Sequence, residues 1–412
     1  MGIELQARSS LKKKGLIFSS TITIEQVAAA LMAAAKGTPL EATTASRRLE
    51  DGVSITFHPG GAPVDVRADR EDVVIDVKTS LLGPGYHAFV VSALESAGSA
   101  LGLRWQWDDE AGYVEDRDFA KLQACMTKLV KELAAAMRAH VGSDEELAGT
   151  RIFMDPDFRV ETYDNEVLTP LRPVSVDRFV SWQTLDDADL QTEATHFVYS
   201  WWGEGFDPWF FRGLALYSMW NDIRWAYPID PKEVELAKRT LGWVKEAMKI
   251  GIIGEEFFPP VIEEISAVIL AKEGPLHFPN AEGIGYRRRR MQLGLGRNWT
   301  VTIPASLGRR IEESDGQVSL VIENHVLDIR VTLGTAAARE DLDPDDIDIV
   351  QRLIKETDGL LVQHVIARTF QGGGRDAICE LTLTLRDPRF KDLVQEIIDS
   401  VGFAETDPEE VD

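Results

Sequence analysis

Aspartate-proline steps divide this chain more firmly than any other feature. It holds 18 prolines, and six of them follow aspartate, at Asp155, Asp207, Asp230, Asp343, Asp387 and Asp407. Proline lacks an amide proton and has a fixed φ, so a helix does not run through such a step but readily begins at it. The preceding carboxylate accepts the orphan amide protons of the first turn. Four of the six steps are followed by apolar residues at helical spacing. Asp230-Pro231 predicts a helix through Ile250, with Glu233 at capping-box spacing and Gly251 past its end. Asp207-Pro208 predicts an aromatic-rich helix to about Trp225. Asp343-Pro344 predicts a helix to about Thr357, and Asp387-Pro388 another that stops at Gly402.

Periodicity between these steps yields three regions. In residues 1–149, helices are expected over Ile24–Lys36, Tyr86–Leu101 and Asp118–His140, with strands over Val53–His58, Val73–Thr79 and Leu103–Trp107. Residues 150–282 hold seven of the ten tryptophans and read as mainly helical. Residues 283–412 begin with an arginine-rich linker. Strands follow at Trp299–Ile303, Val318–Ile322 and Val326–Leu333, then the Asp343 helix, a hairpin of Leu360–Phe370 with Ala377–Leu385, a last helix and an acidic tail. The expected fold class is α+β: two antiparallel-sheet-plus-helix units, ββαββα-like at the C-terminus, flanking a mainly helical, tryptophan-rich middle. The first region is a looser version of the last, which raises an internal duplication.

Charge narrows the choice of partner. Over 412 residues, 44 basic and 68 acidic side chains leave a net charge of −24, which disfavours any broad contact with nucleic acid or an anionic membrane. The two cysteines, Cys125 and Cys379, support neither a disulfide scaffold nor a cysteine-rich zinc site and read as buried small hydrophobes. No leader-like apolar segment follows the basic residues of Met1–Lys14, and no apolar run reaches the roughly 18 residues of a membrane span. A cytoplasmic location is expected. P-loop, HExxH, GxSxG and CxxC motifs are absent from the sequence.

Four constellations are worth weighing. Gly283–Ile311 carries seven arginines and no acid, so a +7 stretch sits in a chain that is otherwise −31. Arg287, Arg288, Arg289, Arg290 and Arg297, with Tyr286 and Trp299 to stack on a ring, form a candidate anion or nucleotide site. The plainer reading pairs these arginines with the acids of Asp341–Asp348 or Glu405–Asp412. Trp201, Trp202 and Trp209 are candidate partner-binding residues, though their spacing equally suits a core. The carboxylates Asp108, Asp109, Glu110, Glu115, Asp116 and Asp118 fit no EF-hand spacing and read as a polar loop in which Asp116 or Asp118 caps the next helix. His87 follows Gly83-Pro-Gly-Tyr, where a loop would expose it beside Asp108 as a general base.

The favoured expectation is a macromolecular binder, an adaptor or an inhibitor of the immunity-protein kind, whose acidic surface steers a basic partner protein. It involves no catalytic residues, no metal and no cofactor. Two alternatives stand beside it: nucleotide or phosphate binding through Arg287–Arg297, and an enzyme built on His87 with the acids of Asp108–Asp118.

Overall fold

The computed structural model describes residues 2–13, 20–140, 147–154, 160–163, 165–225, 231–249, 258–270, 283–296, 298–306, 310–314, 317–321, 327–337, 347–357, 360–372, 375–385 and 391–403. The fold is mixed α+β, in two compact units. Met1–Asp155, Thr162–Asp222 and Glu235–Ser266 form the first, and Pro156–Glu161, Ile223–Val234 and Ala267–Asp412 the second. Among the described residues no helix is long and apolar enough to cross a membrane.

The first unit is organised by a six-stranded antiparallel sheet. Its strands are β1 (Glu4–Ser10), β4 (Ala45–Arg48), β5 (Gly52–Thr56), β6 (Val64–Asp69), β7 (Asp72–Lys78) and β8 (Gln106–Asp109), in the order β4-β5-β6-β7-β1-β8. A short pair, β2 (Lys12–Lys13) with β3 (Ser20–Thr21), follows β1. Side chains alternate between the sheet faces. Leu5 and Ala7 of β1, Val64 and Val66 of β6, and Val73, Ile75 and Val77 of β7 are buried on one face, while Glu4, Gln6, Asp65, Asp76 and Lys78 turn outward.

Helix α1 (Ile24–Ala33) packs on β5 and β6 and against α2 (Pro84–Leu101). Its start is a reciprocal cap: Thr23 Oγ1 accepts the Gln26 amide at 3.3 Å, and Gln26 Oε1 accepts the Thr23 amide at 2.9 Å. A one-turn helix, α3 (Tyr113–Asp116), precedes α4 (Phe119–His140), which Asp118 caps by accepting the Lys121 amide at 3.1 Å.

Residues 162–222 close into this same unit. A two-stranded ladder, β9 (Glu166–Val167) with β10 (Val174–Ser175), leads into α5 (Val176–Ser181), α6 (Asp187–Glu193) and a π-helical turn, Ala194–Val198. Asp207 does what an aspartate-proline step predicts: its carboxylate accepts the Phe210 amide at 2.8 Å and opens α7 (Pro208–Tyr217). A second π-helical turn, Ser218–Asp222, follows it, and α8 (Pro231–Met248) begins at the proline of the next aspartate-proline step in the sequence. Helix α9 (Phe258–Leu270) comes next. Trp201 is the centre of the packing here. Its ring lies 4.6 Å from that of Phe210, 5.3 Å from Phe206 and 5.4 Å from Phe89, and its indole N–H donates to the Gly205 carbonyl at 2.8 Å.

The second unit contains two sheets. Strands β11 (Arg290–Gly296), β12 (Trp299–Pro304) and β19 (Gly402–Phe403) make the smaller. The larger runs β13 (Arg310–Ser314), β14 (Gln317–Val321), β15 (Leu327–Ala337), β18 (Arg375–Leu385), β17 (Leu360–Gly372) and β16 (Ile347–Thr357), antiparallel throughout. The hairpin expected around Gln371–Arg375 is β17 with β18, paired along its length. Helix α10 (Lys391–Asp399) ends before Gly402 as expected.

One expected element is different. The helix assigned to Asp343–Thr357 is, over Ile347–Thr357, the edge strand β16. Ile347, Ile349, Val350 and Ile354 suit helical spacing and a strand about equally, and four β-branched residues beside a long partner strand settle the choice. The two six-stranded sheets are also threaded differently, so the likeness of their element orders does not extend to topology.

Two glycines make the packing testable. A Cβ on Gly213 in α7 would overlap the Ser200 carbonyl oxygen, whereas one on Gly242 in α8 would meet nothing. Gly213→Ala should therefore cost about 1–3 kcal/mol, and Gly242→Ala should stabilise by about 0.5–1 kcal/mol. Urea unfolding of the two variants should move the midpoint in opposite directions.

Candidate functional site

The outward face of the first sheet concentrates charge by register alone. Ser54 pairs with Asp65, Asp65 with Asp76, Asp76 with Gln6, and Gln6 with Asp108. Three carboxylates thus share one cross-strand row, two of them directly opposite each other. The adjacent row adds Glu4 opposite Lys78, and Glu110 Oε2 accepts the Glu4 amide at 2.8 Å. These five acids (Glu4, Asp65, Asp76, Asp108 and Glu110) line an open hollow of about 340 Å³ in which Lys78 is the one cation among the described residues.

Neighbours hold these carboxylates in place. Ser54 donates its hydroxyl to Asp65 Oδ1 at 2.7 Å, and Arg67 Nη2 lies 2.8 Å from Asp65 Oδ2. Gln6 Nε2 donates to Asp76 Oδ1 at 2.5 Å. At the far end of β1, Arg8 reaches Asp69 at 2.7 Å and Asp72 at 2.8 Å, which offsets one of the two charges at the hairpin end of the face, while Asp76, Asp108, Glu4 and Glu110 cluster around the hollow.

The other face of the same strands holds His87, and here the expectation needs correction. His87 is not exposed by a loop: it sits in the first turn of α2 and is fully buried. Its carboxylate neighbour is Asp109, not Asp108. On β8 the alternation sends Asp108 outward and Asp109 inward, opposite Leu5. His87 Nε2 lies 3.3 Å from Asp109 Oδ1, and Nδ1 is 2.8 Å from the Thr79 hydroxyl. The ring thus faces the carboxylate with Nε2 and shares a hydrogen bond with the Thr79 hydroxyl through Nδ1. Burial pushes the Asp109 carboxyl up, but His87 and the amides of Val114 and Ala111 outweigh it and hold the group below the usual carboxylate range. The chain Thr79–His87–Asp109 is closed to solvent, with Thr79 and His87 at 0% exposure and the Asp109 side chain at 4%. Its chemistry is that of a buried polar strut.

The arginine segment is a 3₁₀ turn, Tyr286–Arg288, feeding β11. Arg287 donates to the Ala305 carbonyl at 3.3 Å and Arg288 to that of Ile284 at 2.8 Å, with the Arg288 guanidinium 4.4 Å from the Trp225 ring centroid. Arg289 is buried and donates to the Glu161 carbonyl at 3.3 Å. Arg290 pairs with Glu396 at 2.7 Å. Tyr286 and Trp299 are core residues, at 0% and 1% exposure, with no ring face to offer a base. Arg297, the run Asp341–Asp346 and the tail Glu405–Asp412 lie outside the described residues.

Of the three candidate partner-binding tryptophans, Trp201 is wholly buried and Trp202 nearly so, stacked 5.7 Å from Tyr199. Trp209 alone among them is exposed, at 36%. Among the described residues no group of three His, Cys, Asp or Glu side chains is arranged to hold a metal ion. No protein-family model matches the chain, and no curated protein matches it in sequence.

Asp109 supplies a pH-dependent test. Its depressed pKa means that the stabilisation is present above about pH 4, the unfolded carboxylate value, and is lost as pH falls through the lower folded value. Asp109→Asn should cost about 1–3 kcal/mol at pH 7. The gap from the unsubstituted protein should stay constant down to about pH 4 and close below it, as read by denaturant unfolding across pH.

Proposed function

We propose that this protein acts by binding a basic macromolecule, as an adaptor or inhibitor, through the outward face of its N-terminal sheet. One observation carries the reading: register sets Asp65, Asp76 and Asp108 in a single cross-strand row, with Glu4 and Glu110 beside it. Like charges directly opposite each other destabilise a sheet by a few tenths of a kcal/mol or more, about 0.2–1 kcal/mol per pair. A protein partner bearing lysine and arginine would relieve that repulsion and be drawn in by the same field. The net charge of −24 adds long-range attraction for such a partner and repels competing anions.

The reading separates stability from binding at the same residue. Asp76→Asn should leave the fold as stable or raise it by about 0.2–1 kcal/mol. The triple variant Asp65→Asn, Asp76→Asn and Asp108→Asn should lose the proteins that the immobilised chain captures at low salt. For each captured protein it should also slow association at least tenfold and flatten its dependence on salt. A control with Asp177, Asp187 and Asp189 changed to Asn removes equal charge elsewhere and should retain them. Equal capture by all three chains, or equal loss from both variants, would sink the proposal.

A further inference from the structure

In the first unit, three arginines gather around the π-helical turn Ala194–Val198. Thr169 donates its hydroxyl to the Phe197 carbonyl at 2.5 Å, and the Leu171 amide donates to the same oxygen at 3.1 Å. The next residue, Arg172, is thereby set with its guanidinium 4.2 Å from the Phe197 ring centroid, and that of Arg178 lies 4.6 Å from it. From α7, Arg212 enters at 8% exposure, donates Nη1 to the Thr195 carbonyl at 3.0 Å and lies 5.5 Å from the Trp209 ring centroid.

The charge here is not balanced within the group. Among the described residues Glu193 is the carboxylate that faces it, and both its oxygens are already used. Arg178 takes them as a fork at 2.7 Å each, and the Trp182 indole N–H donates to Oε2 at 3.0 Å. That leaves Arg172 and Arg212. Arg172 Nε is buried and meets no acceptor among the described residues. Burial first, and then the neighbouring Arg172, push Arg212 down to about 10, which still leaves it a cation at neutral pH. Cations withdrawn from water are costly without a counter-charge, and the planar guanidinium fork matches the paired oxygens of a carboxylate or phosphate. The backbone adds a second pointer, because π-helical turns are rare and frequently accompany functional sites.

We propose that Arg172 and Arg212, framed by Phe197 and Trp209, form a binding site for an oxyanion, the carboxylate or phosphate group of a small ligand. This site owes nothing to the acidic sheet face, and its failure would leave that reading untouched. The test is calorimetric titration of the full chain with inorganic phosphate and, separately, with acetate, each against sodium chloride at matched ionic strength. Saturable binding of one anion per chain is expected in at least one arm, and which arm responds distinguishes phosphate from carboxylate. Arg172→Gln should weaken that binding at least tenfold, while Arg47→Gln on exposed β4 should leave it unchanged. Should the Gln variant fail to fold, Arg172→Lys, which keeps the charge but not the fork, should show the same direction of loss. Absence of saturable binding to the unsubstituted chain, or equal binding after substitution of Arg172, would overturn the site.

Discussion

Strand β1 is hydrogen-bonded along both edges, to β7 on one side and to β8 on the other. Seven residues from the start of the chain thereby join segments that lie some seventy and a hundred positions downstream. Everything on either face of the first sheet inherits its position from that double ladder. Its alternation places Leu5 and Ala7 against the apolar interior and Glu4 and Gln6 among the outward carboxylates. The buried strut His87–Asp109 and the acidic row at Asp76 and Asp108 are two products of one register.

Polar groups in the interior beneath this sheet are tolerated where they are given a specific neighbour. Thr79 meets His87, His87 meets Asp109, and Asp109 takes two backbone amides of the turn that follows. Trp201, Tyr199 and Trp182 follow the same rule with the Gly205 carbonyl, the Met126 carbonyl and the Glu193 carboxylate. An aromatic-rich segment behaves as core when its polar tips find acceptors, and here two of the three are backbone oxygens and one a carboxylate, none of which sequence spacing reveals.

What was legible in the sequence was local chemistry. The Asp207 cap, the long α4 face and the β17–β18 hairpin could be read because caps, helical spacing and a glycine turn act over a few residues. Strand β1 carries little local signal, because in Glu-Leu-Gln-Ala-Arg-Ser-Ser only Leu5 is a large apolar residue and the segment lies among basic residues. Ile347–Thr357 misled because its apolar positions fit two periods, and a partner strand made the decision. Asp108 and Asp109 could not be told apart before the parity of β8 was known. The arginines at 172, 178 and 212 leave no local signature, since tertiary packing alone brings them round one ring.

The parity of β8 has a consequence for how the chain finds its fold. A slip of one residue along β1 would turn Asp108 toward the apolar interior, expel Asp109 to the surface and leave His87 facing the wrong carboxylate. Two neighbouring acids, one required inside and one tolerated only outside, therefore act as a proofreading mark. The strand can dock in many offsets while the chain is still collapsing, but a neighbouring offset strands a charge in the interior and is released. A four-residue strand, too short to hold its alignment by hydrogen bonds alone, is kept in frame by the penalty for being wrong.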